Sequence, residues 1–179
     1  MNHKNKSWSR KYESRGRCYC NPANTNCGRH EWKRATRIMN MQEVKQLIYK
    51  GEKVDIECKE AESNVPRSAY ESYSAFANTK GGYIILGVKE DKKKALPEER
   101  FIIQGIQNSK KQVEDFWNTI NSIKVNRNLL KDEDVFIVEE SGVSLIVIKV
   151  PRADYKMRPI YVGENPYKGT FKRNNEGDY

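Results

Sequence analysis

From residue 39 onward the apolar positions fall into periodic blocks. Met41, Val44, Leu47 and Ile48 recur at helical spacing, and Gly51 suits the position that ends a helix. Val54, Ile56 and Cys58 then alternate with Asp55, Glu57 and Lys59, the pattern of a strand with one charged face. Asn64-Val65-Pro66 opens a second helix whose apolar face is Ala69, Tyr73, Phe76 and Ala77. That helix stops at Asn78-Thr79-Lys80-Gly81-Gly82. Tyr83 to Val88 follows as a continuous apolar run, as expected of a strand covered on both faces.

Lys89 to Arg100 reads as a charged loop and Phe101 to Ile106 as a short strand. Ser109 caps a third helix, with Gln112 completing a capping box and Val113, Phe116, Trp117 and Ile120 as its buried stripe. Val135–Val138 and Val143–Val150 flank Glu140-Ser141-Gly142 and predict a β-hairpin. Pro159–Val162 and Gly169–Arg173 are expected as two short final strands. The sum is an α+β fold: one domain with a mixed β-sheet and about three helices.

Charge divides the chain differently. Of 179 residues with a net charge of +9, residues 1–38 hold ten Lys/Arg and two acids, a net +8 that leaves +1 on the rest. The expected organisation is a basic, mostly irregular N-terminal arm over 1–38, a domain over 39–175 and a frayed polar tail over 176–179. A cationic arm attracts phosphate backbones by counterion release, and Trp8, Tyr12, Tyr19 and Trp32 could stack on unpaired bases. A solubilising tail, or sequence upstream of a start at Met39 or Met41, has the same composition.

Three of the four cysteines lie in the arm, as Cys18-x-Cys20-x6-Cys27-x2-His30. Four such ligands could hold a structural Zn²⁺ around the turn-forming Asn21–Asn26 stretch, although C-x-C is not the usual knuckle spacing. Free thiols are the alternative. No apolar run reaches the ~18 residues of a membrane helix, and Met1-Asn2-His3-Lys4 has no apolar signal-like stretch. The expected location is therefore cytoplasmic, with reduced cysteines and no membrane partner. Both histidines, His3 and His30, fall in the arm, so no Ser-His-Asp or Cys-His pair can be built in the domain. No P-loop pattern occurs either.

Three segments carry a resemblance: Gly51-Glu52 with Ile56-Glu57-Cys58-Lys59; Ser74-Ala-Phe-Ala-Asn-Thr-Lys-Gly-Gly-Tyr-Ile-Ile-Leu-Gly-Val88; and Pro159-Ile160-Tyr161 with Tyr167 and Phe171-Lys172-Arg173. Together, over about residues 41–175, they resemble the AlbA_2 domain of the Schlafen type, a domain associated with DNA binding. The resemblance implies a nucleic-acid-binding module, as in a transcriptional regulator or a defence system. It would contact DNA or RNA phosphates through Lys59, Arg67, Lys80, Lys172 and Arg173.

Nuclease members of that family cut structured RNA with three carboxylates. Glu52 and Glu57 match the first two positions, and Glu90 falls where those members have Asp. The alternative expectation is thus a metal-dependent endoribonuclease holding Mg²⁺ or Mn²⁺ on Glu52, Glu57 and Glu90, with Lys59 neutralising developing charge. The three acids could equally pair with Lys53, Lys59 and Lys89 on a solvated face. The sequence leaves open whether the chain forms a homo-oligomer.

Overall fold

The computed structural model describes residues 39–50, 55–174 and 177–178. Helix α1 (Met41–Tyr49) starts at Asn40, whose side chain accepts from the Glu43 amide while the Glu43 carboxylate accepts from the Asn40 amide. This is the capping box of the domain. Strand β1 (Ile56–Lys59) leads through a loop to α2 (Arg67–Asn78), with Pro66 at the N-cap. Strands β2 (Gly82–Leu86) and β3 (Val88–Glu90) follow, then the single turn α3 (Pro97–Arg100) and β4 (Phe101–Ile103). Next come α4 (Ser109–Ile120) and the hairpin of β5 (Val135–Glu140) and β6 (Val143–Val150). The turn α5 (Pro166–Gly169) and a two-residue pair, β7 (Arg173–Asn174) with β8 (Gly177–Asp178), close the chain.

The main sheet has the order β1-β2-β6-β5. β1 and β2 are parallel and the other pairs antiparallel, so the sheet is mixed. It is covered on both faces. Ile84, Leu86, Ile146 and Ile148 pack with α2 and α4 residues such as Phe76 and Phe116. Ile56, Cys58, Ile85 and Val147 pack on the other side with Val44 and Ile48 of α1 and with Val88 and Phe101 of the β3–β4 pair. Burial on both sides is why the β2 sequence shows no polar alternation.

Helix α2 is enclosed along most of its length: Ala69, Tyr70 and every residue from Ser72 to Asn78 are buried. Its small Ala and Ser residues let it lie close to the sheet on one side and to the chain's final segment on the other. The fit extends to the strand that follows. A Cβ on Gly82 would stand 2.6 Å from the Phe76 ring and 2.7 Å from the Asp55 carbonyl. Tyr73 fixes another loop, its hydroxyl donating to the Arg127 carbonyl at 3.0 Å and accepting from the Leu129 amide at 2.8 Å. Burial pushes that hydroxyl up to about 12.

Several local expectations are corrected. The apolar run from Tyr83 breaks at Gly87, whose φ of +95° turns the chain out of the main sheet and makes β3 a separate strand. The stretch from Lys89 to Arg100 is therefore not all loop. Ser109 does not cap α4. Asn108 holds that position in a left-handed conformation with no side-chain cap bond. Gln112 turns inward instead, its amide reaching the carbonyls of Ala61, Glu62 and Gln107. Apart from Arg173 in β7, the stretches 159–162 and 169–173 form no strand and pair through the isolated bridges Val125–Val162 and Tyr161–Thr170. Gly177–Asp178 pairs with Arg173–Asn174 rather than trailing as a frayed end. Gly51 and Val54 lie outside the described residues.

Candidate functional site

The carboxylate of Glu57 is enclosed. Glu57 is on the α2 face of β1, opposite the Ile56 and Cys58 side chains, and is only 9% exposed. Its Oε2 accepts from Arg173 Nη1 at 2.5 Å, and its Oε1 lies 2.5 Å from Lys59 Nζ, two residues along the same strand face. Arg173 is 7% exposed. Its guanidinium stacks over the Phe76 ring, 4.9 Å from the centroid, and Nη2 donates to the Ile56 carbonyl at 2.9 Å.

Glu90 forms a separate cluster. Arg100 Nε donates to its Oε1 at 2.6 Å, the Arg100 Nη2 also contacts that oxygen, and Lys92 Nζ is 3.8 Å from Oε2. Lys89, the other candidate partner, pairs with Glu60. Glu57 and Glu90 are thus each neutralised by their own arginine. Among the described residues, no three His, Cys, Asp or Glu side chains are grouped so as to hold a metal ion. Glu52, Cys18, Cys20, Cys27 and His30 lie outside the described residues.

The buried Asn78 explains how Arg173 reaches Glu57. Its Nδ2 donates to the carbonyls of Ile160 at 2.7 Å and Phe171 at 3.0 Å, and its Oδ1 accepts from the Ile160 amide at 2.8 Å. Ser74, one turn earlier, donates to the Ile160 carbonyl and accepts from the Phe171 amide. Two short side chains of α2 thereby fasten both the Pro159–Tyr161 and the Phe171–Arg173 segments. The described parts of the three segments singled out in the sequence, 56–59, 74–88 and 159–173, are joined around the C-terminal end of α2 by these bonds and by the Glu57–Arg173 pair.

Outside this buried core the final segment is strongly basic. Residues 149–173 contain seven Lys/Arg and two acids, a net +5. Of these basic residues only Arg173 is buried; Lys149, Arg152, Lys156, Lys168 and Lys172 are exposed and Arg158 is half-buried. Lys80, in the turn after α2, is exposed as well, and a Cβ on the adjacent Gly81 would lie within 3.0 Å of the Arg152 amide. No described carboxylate pairs with Lys80, Arg152, Lys156, Lys168 or Lys172. A cleft of about 500 Å³ opens beside Lys172, lined also by Asn78, Tyr155, Arg158, Pro159 and Thr170. Tyr155 is 87% exposed, and Tyr167 on α5 is 96% exposed.

Of the basic residues expected at an interface, Lys80 and Lys172 are at this surface. Lys59 and Arg173 are committed to Glu57. Arg67 stands apart at the start of α2, paired with Glu71 at 3.3 Å. Arg152, Lys156, Arg158, Tyr155 and Tyr167 were not anticipated. Their signal is the local charge density of residues 149–173, which the near-neutral total of the domain conceals.

A second cleft of about 530 Å³ lies beside the N-terminal end of α2, with Val65, Tyr70, Val125 and Val162 among its lining residues. Burial raises the Tyr70 hydroxyl above its ordinary value, partly offset by a hydrogen bond with Thr119. No helix among the described residues is long and apolar enough to cross a membrane.

The family model described as "Schlafen, AlbA_2" matches residues 52–179. Among curated proteins none matches the sequence. A similar solved structure is the solution NMR structure of the N-terminal domain of a Nitrosomonas europaea protein described as related to the ATP-dependent DNA helicase RecG. The two are 25% identical with a TM-score of 0.58, over 72% of this chain and 83% of that one.

Proposed function

Given that the chain belongs to the Schlafen AlbA_2 family, we propose that it binds nucleic acid through the basic surface of residues 149–173. The observation that carries this reading is the set of exposed cations, Lys80, Arg152, Lys156, Lys168 and Lys172, that no described carboxylate neutralises. Protein surfaces ordinarily intersperse charges of both signs. A local excess of one sign around a cleft favours a polyanion, whose condensed counterions are released on binding. The exposed Tyr155 and Tyr167, each followed directly by a lysine, add faces on which bases can stack. The Nitrosomonas domain of similar fold comes from a helicase-related protein, which supports the same partner class. The +8 of residues 1–38 would add affinity of the same non-specific kind.

Fluorescence-anisotropy titration of labelled DNA and RNA against the whole chain, at several salt concentrations, tests this. Affinity is expected to fall steeply with salt. Lys156→Gln and Lys172→Gln should each weaken binding to every sequence alike and lower the log–log salt slope by about 1. Removing residues 1–38 should lower the slope further. A salt slope that none of these changes alters would reject the surface as the binding site.

The endoribonuclease expectation draws no support from Glu57 or Glu90. A metal ion there would have to displace Arg173 or Arg100 from its carboxylate, leaving a guanidinium without its counterion. Glu57 holds the final segment in place instead, and so shapes the binding surface indirectly.

A further inference from the structure

One stretch of chain contributes to the lining of both clefts. Pro159 lines the first cleft and Val162 and Gly163 line the second. The stretch is held from both sides: Asn78 bonds both backbone groups of Ile160, Asn126 bonds the Pro159 carbonyl and the Tyr161 amide, and Val125 bridges to Val162. Three residues of extended chain span about 10 Å. A strand a few nucleotides long is long enough to span the distance between these lining residues.

The two clefts differ in chemistry. The charged residues that line the first are cations, Arg158 and Lys172. The second has an apolar base in which Tyr70 and Val125 are buried, two exposed cations, Arg67 and Lys124, and one carboxylate, Asp115. Arg67 is 84% exposed, and its contact with Glu71 at 3.3 Å is a solvent-screened pair within one helix, which a phosphate can replace. Asp115 makes the cleft a poor seat for bare phosphate backbone. A nucleotide suits the mixture better: its base has an apolar face and N–H donors that a carboxylate can accept, while its phosphates take the cations. Bases inside a duplex cannot reach a cleft of this kind without leaving the stack.

We propose that the second cleft receives an unpaired base of the strand bound in the first. Val65, Tyr70, Val125 and Val162 cover the base, Asp115 accepts from its edge, and Arg67 and Lys124 hold its flanking phosphates. The surface is then selective for single-stranded over double-stranded nucleic acid. This inference rests on the binding reading above, and its test separates the two.

The full chain is titrated with a labelled single-stranded 12-mer and with the duplex of the same sequence. The unmodified chain should bind the single strand more tightly. The double variant Arg67→Gln/Lys124→Gln, at two exposed positions, should weaken single-strand binding about tenfold and duplex binding less than twofold. Equal loss on both substrates would make the two residues generic phosphate contacts, and no loss on the single strand would remove them from the site; either result overturns the proposal while leaving the basic surface standing. Failure of the unmodified chain to bind either substrate would overturn both readings together.

Discussion

Replacing Glu57 by glutamine is expected to destabilise the fold by about 3–5 kcal/mol, because it leaves the Arg173 guanidinium buried with its countercharge gone. For a domain of this size that is a fall in melting temperature of about 10–15 °C, measurable by thermal denaturation followed by circular dichroism. Arg173→Met should cost a similar amount, since it strands the carboxylate with Lys59 alone. The double replacement Glu57→Leu/Arg173→Met removes both charges and should recover most of the loss, as apolar replacements of buried ion pairs commonly do. Additive losses in the double variant would show that the two residues act independently. The same series bears on the nuclease expectation: a metal ligand at Glu57 predicts lost RNA cleavage with unchanged stability, whereas an internal ion pair predicts the reverse.

Asn78→Ala is expected to cost about 3–5 kcal/mol as well. The substitution removes the partner of the Ile160 amide and of the Phe171 carbonyl, and each buried group left unsatisfied costs about 1–3 kcal/mol. Asn78→Asp keeps the shape but points an oxygen, in place of the Nδ2 donor, at the carbonyls of Ile160 and Phe171. It should be worse than alanine at neutral pH. Urea denaturation of the three proteins orders them. An aspartate variant as stable as the parent would show that the network is not formed as described. Because these bonds fix the walls of the basic cleft, Asn78→Ala should also weaken nucleic-acid binding even under conditions where the variant is folded, although Asn78 carries no charge for a phosphate to meet.

The fold was legible where one period dominated. The 3.6-residue spacing of Met41, Val44 and Ile48, the unbroken apolar run of β2 and the hairpin around Ser141-Gly142 each predicted the element that forms. Prediction failed where tertiary contacts overrode local signals. Gln112 has the spacing of a capping residue, but three carbonyls in the core claim its side chain. Residues 159–173 have the look of strands, yet the backbones of Pro159, Ile160 and Phe171 bond to side chains of α2 and Asn126 rather than to another strand.

The site was legible as motifs and illegible as geometry. Glu57 alternates with apolar residues, which reads as a solvated face, and nothing in its neighbourhood announces an arginine 116 residues later that closes over it. Arg173 was for the same reason assigned to an external partner. Arg152, Lys156 and Arg158 were missed because charge was summed over the whole domain, where acids elsewhere cancel them.

The Arg173 side chain has one further effect, on how the molecule treats its neighbours in a crowded solution. In β1 the carbonyls of Asp55 and Lys59 point at β2, so by alternation that of Ile56 faces away from the sheet. Arg173 Nη2 occupies it. An unguarded rim of this kind invites another chain to add a strand. The arginine that neutralises an internal acid therefore also fills an edge acceptor that an added strand would need.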